Sequence, residues 1–334
     1  MIGVVGYAAP TGIGYLTRRL FKCLPAQRWL IAPHRYEFPD WLGQKLPEGA
    51  SRLGARDAAQ DTRTIIEFLT GLKTVVSVER TWPPNLFLTA KTFAVKTVLL
   101  VMGEWFDPRT AAHADVLIAP TRMCLEHLQA WGYGDKSVYI PIPLDLSEFA
   151  ARQVTQADRL AFCNGWGGVD ERKGAKLISE ILSKDPDLLE VRSQRSREWP
   201  SHVKQRAMSD TPQELYADID ACIQPSRWEG LGLQQLEAMA CGIPVLTTNA
   251  PPMSEHCIDA HGDDARRLLC PCDISSRVVC IKPWPDAVCR VPDLLQMVRE
   301  LKGSAITDLS AQAITYTSMF HGERQWQSFR EVCT

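Results

Sequence analysis

PSRWEGLGLQQLEAMACGIPVLTT, Pro225 to Thr248, lies between two short apolar runs, Ala221-Cys222-Ile223-Gln224 before it and Pro244-Val245-Leu246-Thr247-Thr248 at its end. It reads as strand, turn, helix and strand. Gly230 and Gly232 fall in the turn, where the missing Cβ lets backbone approach a ligand closely. The helix opening at Leu233 turns its unsatisfied N–H groups and positive dipole end toward the same place, which suits a phosphate. Glu229 and Glu237, with seven residues between them, bracket the glycines. Glu237 stands about two turns into the helix, where a carboxylate can accept from ribose hydroxyls. Each acid also has an ordinary reading: Glu229 as an acid favoured by the helix dipole, Glu237 as part of a solvated face.

The pattern extends in both directions. IGVVG at 2–6, RWLIAP at 28–33, TVVSVE at 74–79, TVLLVM at 97–102, DVLIAP at 115–120 and SVYIPIP at 137–143 read as buried parallel strands. Helical segments separate them, as in Ile13, Leu16, Leu20 and Leu24, with Arg18, Arg19 and Lys22 on other faces. After the polar stretch Asp145–Asp158 the alternation restarts at RLAFCNG, 159–165. The fold class is α/β, with two doubly wound domains. A last helical pattern, about 310–334, contains Phe320, Trp326 and Phe329.

With 334 residues, 45% hydrophobic, the chain is long enough for two cores without staples. Its 37 basic and 39 acidic residues, net charge −2, exclude a whole-protein basic footprint, so a polyanion has to be met by a local patch. Lys91, Lys96, Arg18, Arg19 and Arg109 are candidates for one patch, and Arg192, Arg195, Arg197, Lys204 and Arg206 for another, with solvated surface as the default for both. The most apolar stretch, Leu86–Gly103, is broken by Lys91 and Lys96, so no transmembrane segment is expected. The opening strand lacks a signal-peptide layout, and the 11 cysteines read as reduced thiols of a cytoplasmic protein. Cys257, Cys270, Cys272, Cys280 and Cys289 gather with His256 and His261, but the spacing matches no common zinc module.

Glu237-Ala238-Met239-Ala240-Cys241-Gly242-Ile243-Pro244-Val245, preceded by Glu229, closely resembles the donor-binding motif of retaining glycosyltransferases of family 4. Thr211–Ser226 resembles the helix and strand before that motif, and Ala114–Phe149 the segment ending the family's N-terminal domain. Pro10-Thr11-Gly12-Ile13-Gly14 is similar to the glycine-rich first loop that faces the donor phosphates. The resemblance implies a GT-B architecture of two facing Rossmann-like domains. Residues 1–148 would bind acceptor, 156–309 the nucleotide-sugar donor, and the C-terminal helix would cross back onto the first domain.

The same resemblance implies the site. Lys173 matches the lysine that neutralises the donor diphosphate, and Glu229 would hold the sugar's hydroxyls. The donor set comprises Gly12, Ile13, Gly14, Arg172, Lys173, Arg206, Glu229, Gly230, Leu231, Gly232, Leu233 and Glu237, with Glu229, Glu104 and Lys173 as catalytic candidates. Two departures stand out. The usual arginine is missing from Asn164-Gly165-Trp166-Gly167-Gly168, so Arg172 or a residue from elsewhere would substitute. The usual histidine after TVLLVM is replaced by Gly103-Glu104-Trp105, where Glu104 reads as a polar group for sugar or acceptor, as a base, or as an exposed loop acid. Asp218-Ile219-Asp220 mimics a metal-binding D-x-D but reads as structural, and no metal is expected.

The implied function is retaining transfer of a sugar from a UDP- or GDP-sugar to a hydroxyl on a glycan or another soluble acceptor. An alternative is a phage-type DNA glycosyltransferase acting on hydroxymethylated pyrimidines. A further alternative is a non-catalytic nucleotide-sugar-binding module.

Overall fold

The computed structural model describes residues 1–9, 11–32, 50–52, 58–164, 171–193, 199, 201, 203, 205–207, 212–279, 282–321 and 323–334. The chain divides into two compact units: Met1–Pro143 with Val279–Lys282 and Gly322–Thr334, and Leu144–Val278 with Pro283–His321.

Among the described residues the first unit is built on seven strands: β1 (Ile2–Tyr7), β2 (Arg28–Ala32), β3 (Ala50–Arg52), β4 (Thr74–Val78), β5 (Lys96–Leu100), β6 (Val116–Ala119) and β7 (Ser137–Tyr139). They form one parallel sheet in the order β3-β2-β1-β4-β5-β6-β7. Every residue of β4 is buried, as expected of a strand covered on both faces. The helices are α1 (Gly12–Cys23), α2 (Ala58–Leu69), α3 (Leu86–Thr92), α4 (Pro108–His113) and α5 (Arg122–Ala130). Thr11 starts α1 by accepting from Gly14 N at 3.2 Å, and Leu16 and Leu20 turn its apolar face inward. Thr121 starts α5 in the same way, accepting from Cys124 N at 3.1 Å.

The second unit repeats the plan. Strands β8 (Leu160–Asn164), β9 (Glu190–Ser193), β10 (Gln205–Ala207), β11 (Ala221–Gln224), β12 (Val245–Thr248) and β13 (Leu269–Cys270) form a sheet in the order β10-β9-β8-β11-β12-β13. This is the Rossmann order. A two-stranded sheet, β14 (Cys272–Val279) and β15 (Lys282–Cys289), follows. No strand is readable here from residue pattern, since Pro283 and Pro285 interrupt β15, which among the described residues bonds β14 alone. The helices are α6 (Ala175–Lys184), α7 (Pro212–Tyr216), α8 (Leu233–Ala240), α9 (Met253–His261), α10 (Val291–Leu301) and α11 (Thr307–Ser318).

The terminal helix expected over 310–334 is two helices, α11 and α12 (Glu323–Cys333). α11 belongs to the second unit, where Ser310 Oγ donates to Gly242 O at 2.7 Å and accepts from Val154 N at 2.9 Å. The helical run ends where Phe320 O accepts from Leu144 N at 2.9 Å, a bond to the segment that joins the units in sequence. Leu144 is the first residue of the second unit and adjoins the polar stretch Asp145–Asp158. α12 belongs to the first unit: Cys333 O accepts from Thr74 Oγ1 at 2.5 Å, and Phe329 is fully buried. No helix among the described residues is long and apolar enough to cross a membrane.

Candidate functional site

The turn between β11 and α8 is fixed by backbone before any side chain acts. Gly232 caps α8 at φ 75°, a left-handed conformation that favours glycine. Leu231 O accepts from His256 Nε2 at 2.7 Å, which leaves His256 Nδ1 to accept from the Tyr316 hydroxyl at 3.1 Å. His256, read from sequence beside the cysteines, therefore bolts the glycine turn to α11.

Glu229 is buried in this turn and meets two cations. Its Oε1 accepts from Lys173 Nζ at 2.5 Å and its Oε2 from an Arg172 guanidinium nitrogen at 2.7 Å. Burial alone would raise its pKa, but the charges of Arg172 and Lys173 and their hydrogen bonds hold it at about 2. The carboxylate is ionised at neutral pH. With two cations around one anion, the cluster keeps one positive charge.

Arg172 and Lys173 are held from the other side. Gly174 stands at φ 74°, and a Cβ there would come within 2.3 Å of Pro225 O. Arg227 N donates to Arg172 O at 2.7 Å, and Arg172 Nε donates to Trp228 O at 3.2 Å. The loop before α6 and the loop after β11 are thus laced together, which brings residues more than fifty positions apart to one carboxylate.

The sheet β14–β15 adds partners that the sequence did not announce. Trp284 Nε1 donates to Glu229 O at 3.2 Å. Asp286 takes Arg227 bidentately, at 2.8 and 2.6 Å. Arg277 lies 4.4 Å from the Trp228 ring centroid. No spacing rule links 284 or 286 to 229; a tryptophan inside a proline-interrupted run was the sole hint.

Of the remaining candidates, Gly230, Leu231 and Leu233 lie with Glu229 in the turn or at the first residue of α8. Glu237 is buried at 7% exposure and not part of a solvated face. Burial first, then the Glu237 charge, raises the pKa of both Tyr216 and Cys241, so the carboxylate lies among them. Arg206 lies in β10; its side chain and the stretch 165–170, with Trp166, fall outside the described residues. Gly12, Ile13 and Gly14 form the first turn of α1 in the other unit, and a Cβ on Gly14 would come within 2.0 Å of Ala9 O. Glu104 is the middle residue of a 3-10 turn, Gly103–Trp105, after β5 and is 3% exposed, so it is not an exposed loop acid.

Several residues of the two basic patches are engaged within the chain, and of the second patch only Arg192 has its side chain among those described. Arg192 is 2% exposed and bonds Leu215 O, Glu190 and Asp218. Arg19 is 1% exposed, Lys91 pairs with Asp115, and Arg109 pairs with Asp107. Asp220 of the D-x-D accepts from Arg159 N at 2.7 Å, a structural role. Cys257, Cys270, Cys272 and Cys289 join no group of three or more potential metal ligands among the described residues, and Cys280 lies outside them.

Residues 200–276 match the family model described as Glycosyl transferases group 1. The chain is 50% identical over 42 residues to the lipopolysaccharide core biosynthesis mannosyltransferase LpsB of Rhizobium meliloti (strain 1021), which covers 13% of this chain and 12% of that protein. It is 31% identical over 97 residues to the O-antigen biosynthesis glycosyltransferase WclY of Escherichia coli, covering 25% of this chain and 28% of that protein. The matched segments thus span well under a third of these curated relatives. In fold, the chain resembles the crystal structure of Anabaena HepE in complex with UDP and glucose, with TM-score 0.68 and 14% identity over 99% of this chain and 98% of that one. The fold is that of GT-B glycosyltransferases, two Rossmann-like α/β units, and the segment that matches the group 1 glycosyltransferase model lies in the second unit.

Proposed function

We propose that the protein is a retaining, metal-independent glycosyltransferase of family 4 that moves a sugar from a UDP- or GDP-sugar to a hydroxyl of a glycan. The observation that carries this reading is the cluster of Lys173, Arg172 and Glu229 beside the opening of α8. Lys173 and Arg172 meet the donor diphosphate and stabilise the charge that develops on it as the bond from anomeric carbon to phosphate oxygen breaks. Glu229 is ionised and cannot donate a proton at neutral pH. Its chemistry is to accept from sugar hydroxyls and to favour the positive charge of an oxocarbenium-like state. The acceptor oxygen bonds the anomeric carbon from the face the diphosphate leaves, and its proton passes to the departing phosphate. Glu237 takes the ribose, and Glu104 supplies a polar group for sugar or acceptor.

The relatives named for lipopolysaccharide core and O-antigen biosynthesis support a glycan as acceptor. Calorimetric titration with UDP, GDP and their sugars, followed by transfer assays on bacterial glycans, tests the reading. Lys173→Ala and Glu229→Ala are each expected to lower kcat by about a hundredfold or more. Absence of binding to every nucleotide sugar, or full activity in both variants, sinks it.

A further inference from the structure

The peptide groups of the glycine turn are held in fixed directions by side chains from other elements. In the run 228–231, Trp228 O accepts from Arg172 Nε at 3.2 Å, Glu229 O from Trp284 Nε1 at 3.2 Å and Leu231 O from His256 Nε2 at 2.7 Å. The last two donors are ring N–H groups on buried side chains, Trp284 of β15 at 1% exposure and His256 of α9 at 5%. The His256 ring is held a second time, since its Nδ1 accepts from the Tyr316 hydroxyl at 3.1 Å.

Each of these bonds also acts on the far side of its peptide. The cis bonds of the chain are Trp82–Pro83 and Pro251–Pro252, so the peptides Glu229–Gly230 and Leu231–Gly232 are trans. In a planar trans peptide the C=O and the N–H point in opposite directions. Trp284 therefore turns the Gly230 N–H away from itself, and His256 does the same to the Gly232 N–H. Among the described residues neither N–H donates to a protein acceptor. Gln235, the third residue of α8, stands where a capping side chain reaches back to the N–H of the cap residue, here Gly232. Its amide instead donates to Thr247 Oγ1 at 2.6 Å, and its buried Oε1 has no hydrogen-bond partner among the described residues. The cap N–H is thus left to an acceptor that the chain does not supply.

We propose that Trp284 and His256 are positioning residues that aim the Gly230 and Gly232 N–H groups at the diphosphate of the donor. The inference rests on the glycosyltransferase reading in one respect, that the anion belongs to a nucleotide sugar. Neither residue touches the ligand; each acts through the carbonyl it holds. Amides aimed in advance need no reorganisation when the anion arrives, and they add to the net positive charge of Arg172, Lys173 and Glu229. An apolar side chain at 256 or 284 would leave its peptide free to turn.

Amide-resolved NMR of the full chain, titrated with inorganic pyrophosphate, reads the two N–H groups one at a time. In the wild type both glycine amide protons are expected to move downfield on binding. Trp284→Phe, which keeps a ring and removes the N–H, loses most of the Gly230 shift and keeps that of Gly232. His256→Leu does the reverse, and His256→Gln, whose amide N–H reaches Leu231 O, restores the Gly232 shift. Affinity for pyrophosphate falls about tenfold in Trp284→Phe and in His256→Leu, the loss expected for one hydrogen bond to a charged group. A role in packing alone would disturb both glycines together and gain nothing from glutamine. Should Trp284→Phe not fold, the two His256 variants decide. The proposal is overturned if pyrophosphate moves neither amide in the wild type, if both shifts survive in Trp284→Phe and in His256→Leu, or if His256→Gln behaves as His256→Leu does. UDP titration is read separately: if pyrophosphate binds through the two amides and UDP does not bind, the transferase reading fails and the positioning role stands.

Discussion

At the scale of single residues, Glu229 sets the electrostatics of the second unit. Its pKa in the folded chain, about 2, lies below the ordinary 4.5, so the folded state prefers the ionised form. The stability this contributes is fully present above about pH 4.5 and disappears as pH falls toward 2. By linkage it amounts to about 3 kcal/mol at neutral pH. Glu229→Gln, which leaves Arg172 and Lys173 facing each other across a neutral amide, is expected to lose stability of that order at pH 7. The gap to wild type should close as the pH approaches 2, and urea unfolding across pH 2–7 measures it. A gap constant with pH would mean that shape, not charge, ties the three residues together. Glu229 and Lys173 were legible in the sequence because their motifs are local and specific. Arg172 was legible only as a stand-in for a missing arginine. The bonds from Trp284 and His256 to the carbonyls of the glycine turn were not legible at all, because no residue type or spacing marks a contact between distant elements.

At the scale of elements, the parallel strands were readable since each is an apolar run between turn signals, and right-handed crossovers narrow the orders they can take. β14–β15 and the split between α11 and α12 were not, since prolines mask the first and a tertiary bond at Phe320 decides the second. The turns around the site show why glycine identity alone says little about consequence. Gly174 and Gly232 share a positive φ, yet a Cβ on Gly174 would strike backbone at 2.3 Å, whereas one on Gly232 meets the end of the Gln235 side chain at 3.2 Å. Gly232→Ala is therefore expected to cost about 1–2 kcal/mol, the left-handed penalty. Gly174→Ala should cost more, because Pro225 cannot yield without moving the loop that carries Glu229. Thermal melts of the two variants give the ranking, and equal losses would show that the loop adapts. Gly174→Ala should also impair nucleotide-sugar binding more than Gly232→Ala does, since it displaces Arg172 and Lys173 together.

At the scale of the whole molecule, the chain's last helix completes the unit that its first residues begin. Phe329 and Cys333 are buried at 0% and 1% exposure, and Cys333 O closes a hydrogen bond from Thr74 of β4. α12 covers β4 and β5, and β5 leads into the turn that carries Glu104. The first unit's core therefore depends on residues that follow the whole second unit in sequence. Phe329→Ala removes a fully buried ring, a change that costs about 3–5 kcal/mol in well-packed cores. Each unit has its own sheet, so the loss should be local. Hydrogen exchange followed by mass spectrometry is expected to show faster exchange in Thr74–Val78 and Lys96–Leu100, with Ala221–Gln224 and Val245–Thr248 unchanged. Acceleration of equal size in all four strands would mean that the units unfold as one body. In that case the glycine turn around Glu229 would loosen whenever α12 is disturbed, and nucleotide binding would weaken with it. If the loss stays local, nucleotide binding persists in the variant while transfer to the acceptor falls, and recognition of donor and of acceptor can be assigned to separate units by one substitution remote from both.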